Sequence, residues 1–245
     1  LIGAMPSASS ALSHAPDNPE FQTPTALDAD GIKELIAAFV AAARRADAAG
    51  FDTVEIHAAH GYLLDQFLSP LANKRTDNYG GSRENRMRLL LEATEAVRAV
   101  WPLLVRLSVS DWHADGWQVE DSVVLSRELK ARGVDAIDCS SGGFDGAKIQ
   151  LGPKYQVPFA QAVRDGADIP TMAVGLLGDF DEAEAIIANG EADYIALARG
   201  ALDDPNWPLH ANHHLGADDY DLWPKQANRV RDRDRSLGLR SFAKA

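Results

Sequence analysis

The chain has 245 residues, of which 46% are hydrophobic, close to the roughly 250 residues of one β/α barrel. No run approaches the roughly 18 consecutive apolar residues of a membrane span, and a net charge of −12 argues against a nucleic-acid partner, which needs clustered Lys and Arg. Cys139 is the only cysteine, so no internal disulfide can form; with no basic leader or cleavage site after Leu1, the expectation is a reducing, cytoplasmic setting.

Residues 1–26, with Pro6, Pro16, Pro19 and Pro24 among Ser, Ala and Asn, read as an irregular connection that contains no strand. Helical spacing of Ile32, Leu35, Ile36, Phe39, Val40 and Ala43 then predicts a helix from about Asp28 to Ala49, with Gly50 placed to end it. Thr53 to Ile56 is a short apolar strand ending on His57, and His60 and Tyr62 fall in the turn just beyond it. Strand ends hold side chains rigidly while the next loop supplies reach, so three proton-handling groups here make a candidate site. Two imidazoles spaced i, i+3 can aim N–H groups at one oxygen, and the phenol two residues on can give up a proton. Two plainer readings compete: a satisfied core histidine followed by ordinary turn residues, and an HxxH metal site. The second lacks a nearby Cys or carboxylate at a spacing that such sites use. Glu55 alternates with His57 and so can face the same side.

Ser82 is a candidate N-cap for a helix from Arg83 to Val100, with Met87, Leu90, Leu91, Thr94 and Val97 on its buried side. Leu103 to Ser108 is an apolar strand interrupted by Arg106, whose charge is costly there unless it is paired or meets a ligand. A helix from Glu120 to Ala131, closed by Gly133, leads to a strand from Ala136 to Ser140 in which Cys139 is a core residue. The following turn, Ser140 to Gly143, is either a ligand approach or a plain loop. Strands from Thr171 to Val174 and Tyr194 to Leu197 run into Gly175-Leu176-Leu177-Gly178 and Ala198-Arg199-Gly200, with a helix near Asp204-Pro205. Glycines after two consecutive strands, an arginine and a helix start are the parts of a phosphate cradle. Five strands with helices between them repeat as in a β/α barrel, of which a closed one has eight.

The segments IHAAHGYLLDQFLSP (56–70) and NKRTDNYGGSRENR (73–86) resemble the signature of the old yellow enzyme family, flavin-dependent ene-reductases on a TIM barrel. The likeness resumes in VRLSVSDW, IDCSSGG, YQVPFA, PTMAVGLL and ADYIALARGALDDPNWP, covers about residues 30 to 215, and is nearest to the bacterial two-histidine branch. It implies a TIM (β/α)8 barrel of which this chain supplies about the last five βα units, with residues 27–220 as a partial FMN-binding domain. It also implies FMN as cofactor, NADPH or NADH as hydride donor, and an α,β-unsaturated carbonyl or nitro compound as substrate. His57 and His60 would bind the carbonyl oxygen and Tyr62 would protonate the α-carbon. Arg106 would face the flavin's pyrimidine edge, while Gly175, Leu176, Arg199 and Gly200 would hold FMN at its phosphate end. By the family's order the chain starts after the third strand, so the expectation is that the remaining strands are supplied in cis or trans. A phosphate-binding aldolase or isomerase on the same barrel, or a catalytically empty fragment, are the other readings.

Residues 221–245 form a basic tail with seven Lys or Arg against three Asp. It reads either as a solvated terminus or, through the segment Trp223 to Arg229, as similar to a motif that inserts an arginine into a neighbouring subunit's active site. The latter makes Arg229 a candidate substrate contact and the protein a homo-oligomer.

Overall fold

The N-terminal stretch departs from the strand-free connection expected for it. Ser7–Ala8 (β1) and Thr25–Ala26 (β2) pair in parallel as a ladder of two residues each, too short to leave any periodicity in the sequence. Arg75 fastens this ladder to the body: its guanidinium donates to the carbonyls of Ser9 (2.9 Å) and Leu27 (2.7 Å). The computed structural model describes residues 7–12, 23–216 and 222–227, with Arg233 and Leu237 beyond them.

From Leu27 onward, helices and parallel strands alternate. Helix α1 (Ala29–Ala48) starts where the Asp28 carboxylate accepts from the Gly31 N–H at 2.8 Å, which satisfies one of the helix's orphan donors. Gly50 follows its end at φ 84°, a left-handed turn that glycine adopts without strain. Strand β3 (Val54–Ala58) leads into α2 (Leu63–Leu68), a helix of six residues that shows no periodic signature. Helix α3 (Arg83–Arg98) is capped by Ser82, as its sequence predicts. Strand β4 (Leu103–Ser108), helix α4 (Val119–Ala131) and strand β5 (Ala136–Ser140) follow within a residue of their expected bounds. Helix α5 (Val157–Ala167), strand β6 (Thr171–Ala173), helix α6 (Phe180–Ala188) and strand β7 (Tyr194–Ile195) complete the repeat. Two helices, α7 (Arg199–Asp203) and α8 (Trp207–His214), stand where one was expected near Asp204 and Pro205.

The strands form one sheet in the order β3-β4-β5-β6-β7, every neighbouring pair parallel. Its two faces differ sharply. Ile56, Ala58, Val105, Leu107, Ile137, Cys139 and Ala173 point one way and are buried under the helices with Leu89, Leu90, Leu125 and Leu129. Each fully buried Leu or Ile there contributes about 1.5–3 kcal/mol relative to exposure. The intervening residues point the other way, and the register sets His57 beside Arg106, Arg106 beside Asp138, Asp138 beside Met172 and Met172 beside Tyr194. That face is the barrel interior, and it carries the charges.

Candidate active site

Three residues other than glycine adopt left-handed backbone soon after a strand: His60 (φ 61°) beyond β3, Trp112 (φ 56°) beyond β4 and Leu176 (φ 58°) beyond β6. Such conformations cost about 1–2 kcal/mol each and persist where surrounding contacts dictate them. All three lie at the C-terminal strand ends, where barrels build their sites.

The structure brings the predicted trio together. The His57 and His60 rings are 5.2 Å apart between centroids, and the His57 and Tyr62 rings 5.5 Å. Tyr62 is largely exposed. The backbone of His60 is pinned from neighbouring strands: its N–H donates to Ser108 Oγ (2.9 Å), and that hydroxyl donates to the Gly142 carbonyl. Its ring Nε2 lies 2.6 Å from Ser140 Oγ. Gly61 is tied to α2 through both backbone groups, donating to the Asp65 carboxylate (2.8 Å) and accepting from the Gln66 amide (2.9 Å). A Cβ on Gly61 would stand 2.2 Å from the Gly143 carbonyl oxygen, so loop and turn touch backbone to backbone. The Ser140–Gly143 turn therefore buttresses the histidine loop, a role its sequence did not announce.

Burial and the nearby Arg106 charge both disfavour imidazolium here. They lower the His57 pKa below its ordinary range and hold that of His60 down to about 4, so both rings are neutral at pH 7 and each offers one N–H. Glu55, on the same face two residues earlier, moves the opposite way. Although it is exposed to the open interior, partial desolvation first and the Asp138 charge second push its carboxyl up to about 7 against the pull of Arg106.

Arg106 is paired, the first of its expected alternatives, and still keeps a group toward a cleft. Its Nη1 donates to Asp138 Oδ2 at 2.9 Å, an ion pair on an almost fully buried carboxylate. Its Nε is buried without a partner, and the residue lines a cleft of about 430 Å³ over the ends of β4 to β7. Gly175, Leu176, Arg199 and Gly200 line the same cleft, so every expected cofactor contact shares one space. Gly175, at φ 115°, admits no side chain, because a Cβ would lie 2.7 Å from the Tyr155 ring and 2.9 Å from the Gln156 amide. At Gly178 a Cβ would meet nothing within 4 Å, and at Gly200 only Leu197 at 3.8 Å, which leaves the cradle bare backbone facing open space. Arg229 lies outside the described residues.

Sequence reasoning missed Ser108 and Asp138, and took Ser140 only as the start of a turn. Their one available signal was position: each serine is the last residue of an apolar strand, and Asp138 is the single charge in β5. Among the described residues no group of three or more His, Cys, Asp or Glu is placed to hold a metal, and no helix is long and apolar enough to cross a membrane.

Five βα units with their candidate side chains at the C-terminal strand ends define a partial TIM barrel. The chain belongs to the NADH:flavin oxidoreductase / NADH oxidase family, whose model matches residues 3–218. Membership implies FMN, with NAD(P)H as electron donor. An unpartnered buried guanidinium N–H in the cleft and a bare glycine cradle beside Arg199 fit a flavin carrying a phosphate. The chain is similar to the NADPH dehydrogenase of Geobacillus sp. (strain WCH70), 51% identical over 203 residues that cover 82% of this chain and 60% of the relative. It is likewise 51% identical to the NADPH dehydrogenase of Bacillus licheniformis over 196 residues, 79% of this chain and 58% of that one. Among solved structures, morphinone reductase superposes with a TM-score of 0.72 at 30% identity, covering 87% of this chain and 60% of its own. A 2-naphthoyl-CoA reductase complex gives 0.78 at 28%, covering 86% of this chain and 33% of that one. The chain thus spans about 60% of the length of the curated relatives it matches.

Proposed function

We propose that this chain carries the carbonyl-binding and FMN-phosphate-binding parts of an ene-reductase acting on α,β-unsaturated carbonyl compounds, with NADPH as the donor that the relatives' name favours. The observation that carries this reading is the convergence of His57, His60 and Tyr62 at one strand end, with Arg106 on the neighbouring strand at the edge of the cradle cleft. The chemistry that a bound FMN would supply is hydride transfer between NADPH and the substrate's β-carbon. His57 and His60 donate N–H groups to the carbonyl oxygen, where negative charge grows as the β-carbon is reduced. Donors fixed before that charge develops stabilise the transition state more than the ground state. Because both rings are neutral, they do so without giving up a full proton to the oxygen. Tyr62 supplies the proton to the α-carbon; a phenol is a weak acid, but an enolate carbon is basic enough to take it. Arg106 places a fixed positive charge at the cleft, held in aim by Asp138. Gly175, Leu176, Arg199 and Gly200 bind and orient the phosphate end. This reading is favoured over a phosphate-binding aldolase or isomerase by the family match.

Anaerobic mixing of the FMN-loaded protein with NADPH and then 2-cyclohexenone tests it, on this chain and on a version extended by the part of the relatives that it does not span. Flavin absorbance should bleach with NADPH and return as the enone is consumed. Bleaching by NADPH with no return on adding enone would refute the ene-reductase assignment.

A further inference from the structure

His60 and His57 differ in one respect that bears on what each presents to a ligand. Among the described residues the His57 ring makes no hydrogen bond, whereas His60 Nε2 lies 2.6 Å from Ser140 Oγ. We propose that Ser140 is a positioning residue: its hydroxyl donates to His60 Nε2 and so keeps the ring proton on Nδ1, the nitrogen left to hydrogen-bond the substrate oxygen. This deepens the ene-reductase reading and rests on it for the identity of that oxygen.

The direction of the bond follows from the hydroxyl's surroundings. Ser140 is 4% exposed, and among the described residues its Oγ has no hydrogen-bond partner except His60 Nε2. Ser140 also lines the cleft of about 430 Å³; were Nε2 the donor, its hydroxyl proton would have no protein acceptor among the described residues, the more expensive of the two arrangements. With the hydroxyl donating, its proton and the ring's lone pair are both satisfied. The ring is neutral near pH 7, so one nitrogen must accept while the other carries hydrogen.

Escape from this arrangement is blocked at the backbone. Residue 60 sits at φ 61° with its N–H on Ser108 Oγ, and Ser108 in turn holds the Gly142 carbonyl. A Cβ on Gly143 would stand 2.2 Å from the His60 carbonyl carbon. The ends of β4 and β5 therefore grip His60 at two points, one hydroxyl on its backbone and one on its ring. His57 is held by the ladder opposite Arg106, but among the described residues nothing hydrogen-bonds its ring.

Long-range ¹H–¹⁵N correlation spectra of the ¹⁵N-histidine-labelled chain at pH 7.5, with His60 assigned by its loss in His60→Gln, read the tautomer directly. His60 should show the Nδ1–H pattern, Ser140→Ala should move it to a mixture dominated by Nε2–H, and Ser140→Thr should keep Nδ1–H. A wild-type His60 in the Nε2–H form, or an unchanged pattern in Ser140→Ala, overturns the inference; the wild-type spectrum decides even if the alanine variant fails to fold. In the FMN-loaded protein kcat/KM for 2-cyclohexenone should fall about tenfold in Ser140→Ala and recover in Ser140→Thr. If the tautomer behaves as stated while the wild type reduces no enone, the ene-reductase reading falls and the placement of the ring proton stands.

Discussion

Glu55 and His60 hold protons in opposite senses, although both look onto the same barrel interior. The folded pKa of His60, about 4, lies below the ordinary 6.5, so between those values the unfolded chain binds a proton that the folded chain refuses. Its contribution to stability is complete above pH 6.5 and is lost as pH falls toward 4. Glu55 is raised from 4.5 to about 7; its contribution is complete below pH 4.5 and is lost as pH rises through 7. Glu55→Gln should therefore leave stability near wild type at pH 4.5 and raise it at pH 8. The gain is on the order of 1 kcal/mol, because the open interior lets solvent screen the carboxylate. Thermal melts across that range check it, and a gain independent of pH would contradict the assignment. For the chemistry, His57→Ala and His60→Ala should each slow enone reduction by about 10²- to 10³-fold, roughly 3–4 kcal/mol per donor. Reduction of the flavin by NADPH should be largely spared, which stopped-flow absorbance can resolve. Tyr62→Phe should slow turnover with enones and leave turnover with dioxygen, which needs no carbon protonation.

Secondary-structure elements were legible where they were long, periodic and capped. α1 and α3 announce themselves through their apolar spacing and through Asp28 and Ser82, whose side chains accept the expected first-turn N–H groups. β4 and β5 follow their sequence bounds residue for residue because each is a short, mainly apolar run, broken only by Arg106 or Asp138 and ending on a serine. α2 was illegible: six residues make fewer than two turns, and α2 forms because it packs against α3 and holds the histidine loop through Asp65 and Gln66. The helices α5 and α6 were expected only as connections between strands, without bounds of their own, although Val157, Ala160, Val163 and Ala167 on α5 and Ala183 and Ile186 on α6 repeat at helical spacing. The contact between the Gly61 loop and the Gly143 turn gives a test at this scale. Gly61→Ala adds left-handed strain (φ 72°) and a clash with the Gly143 backbone, and should cost about 2–4 kcal/mol in urea denaturation. Gly50→Ala has similar strain (φ 84°) with nothing within 4 Å and should cost only about 1 kcal/mol. Equal losses at the two positions would mean that the loop and the turn do not bear on each other.

For the molecule as a whole, the sheet ends at β3 on one side and β7 on the other among the described residues. Parallel sheets are ordinarily covered on both faces, yet Glu55, His57 and Tyr194 stand exposed on the inner one. Supplying the part of the relatives that this chain does not span should therefore tighten FMN binding by at least tenfold, measured by flavin fluorescence quenching on titration. Equal affinity with and without it would show that the five-unit sheet forms the whole cofactor site, alone or by pairing with a second copy. The sequence by itself determined the family and the β/α repeat, and it singled out His57, His60 and Tyr62 and the Gly175 and Arg199 segments as candidates. Each lies in a short contiguous motif; connectivity alone brings the trio close, while the Gly175 and Arg199 segments meet because β6 and β7 pair. Only the tertiary structure decided that Arg106 is shared between Asp138 and the cleft, that Glu55 joins them, and that Ser108 and Ser140 grip His60. Those partners are separated by 32, 48 and 80 residues along the chain, and what joins them is the register of parallel strands, which no local pattern of residues encodes.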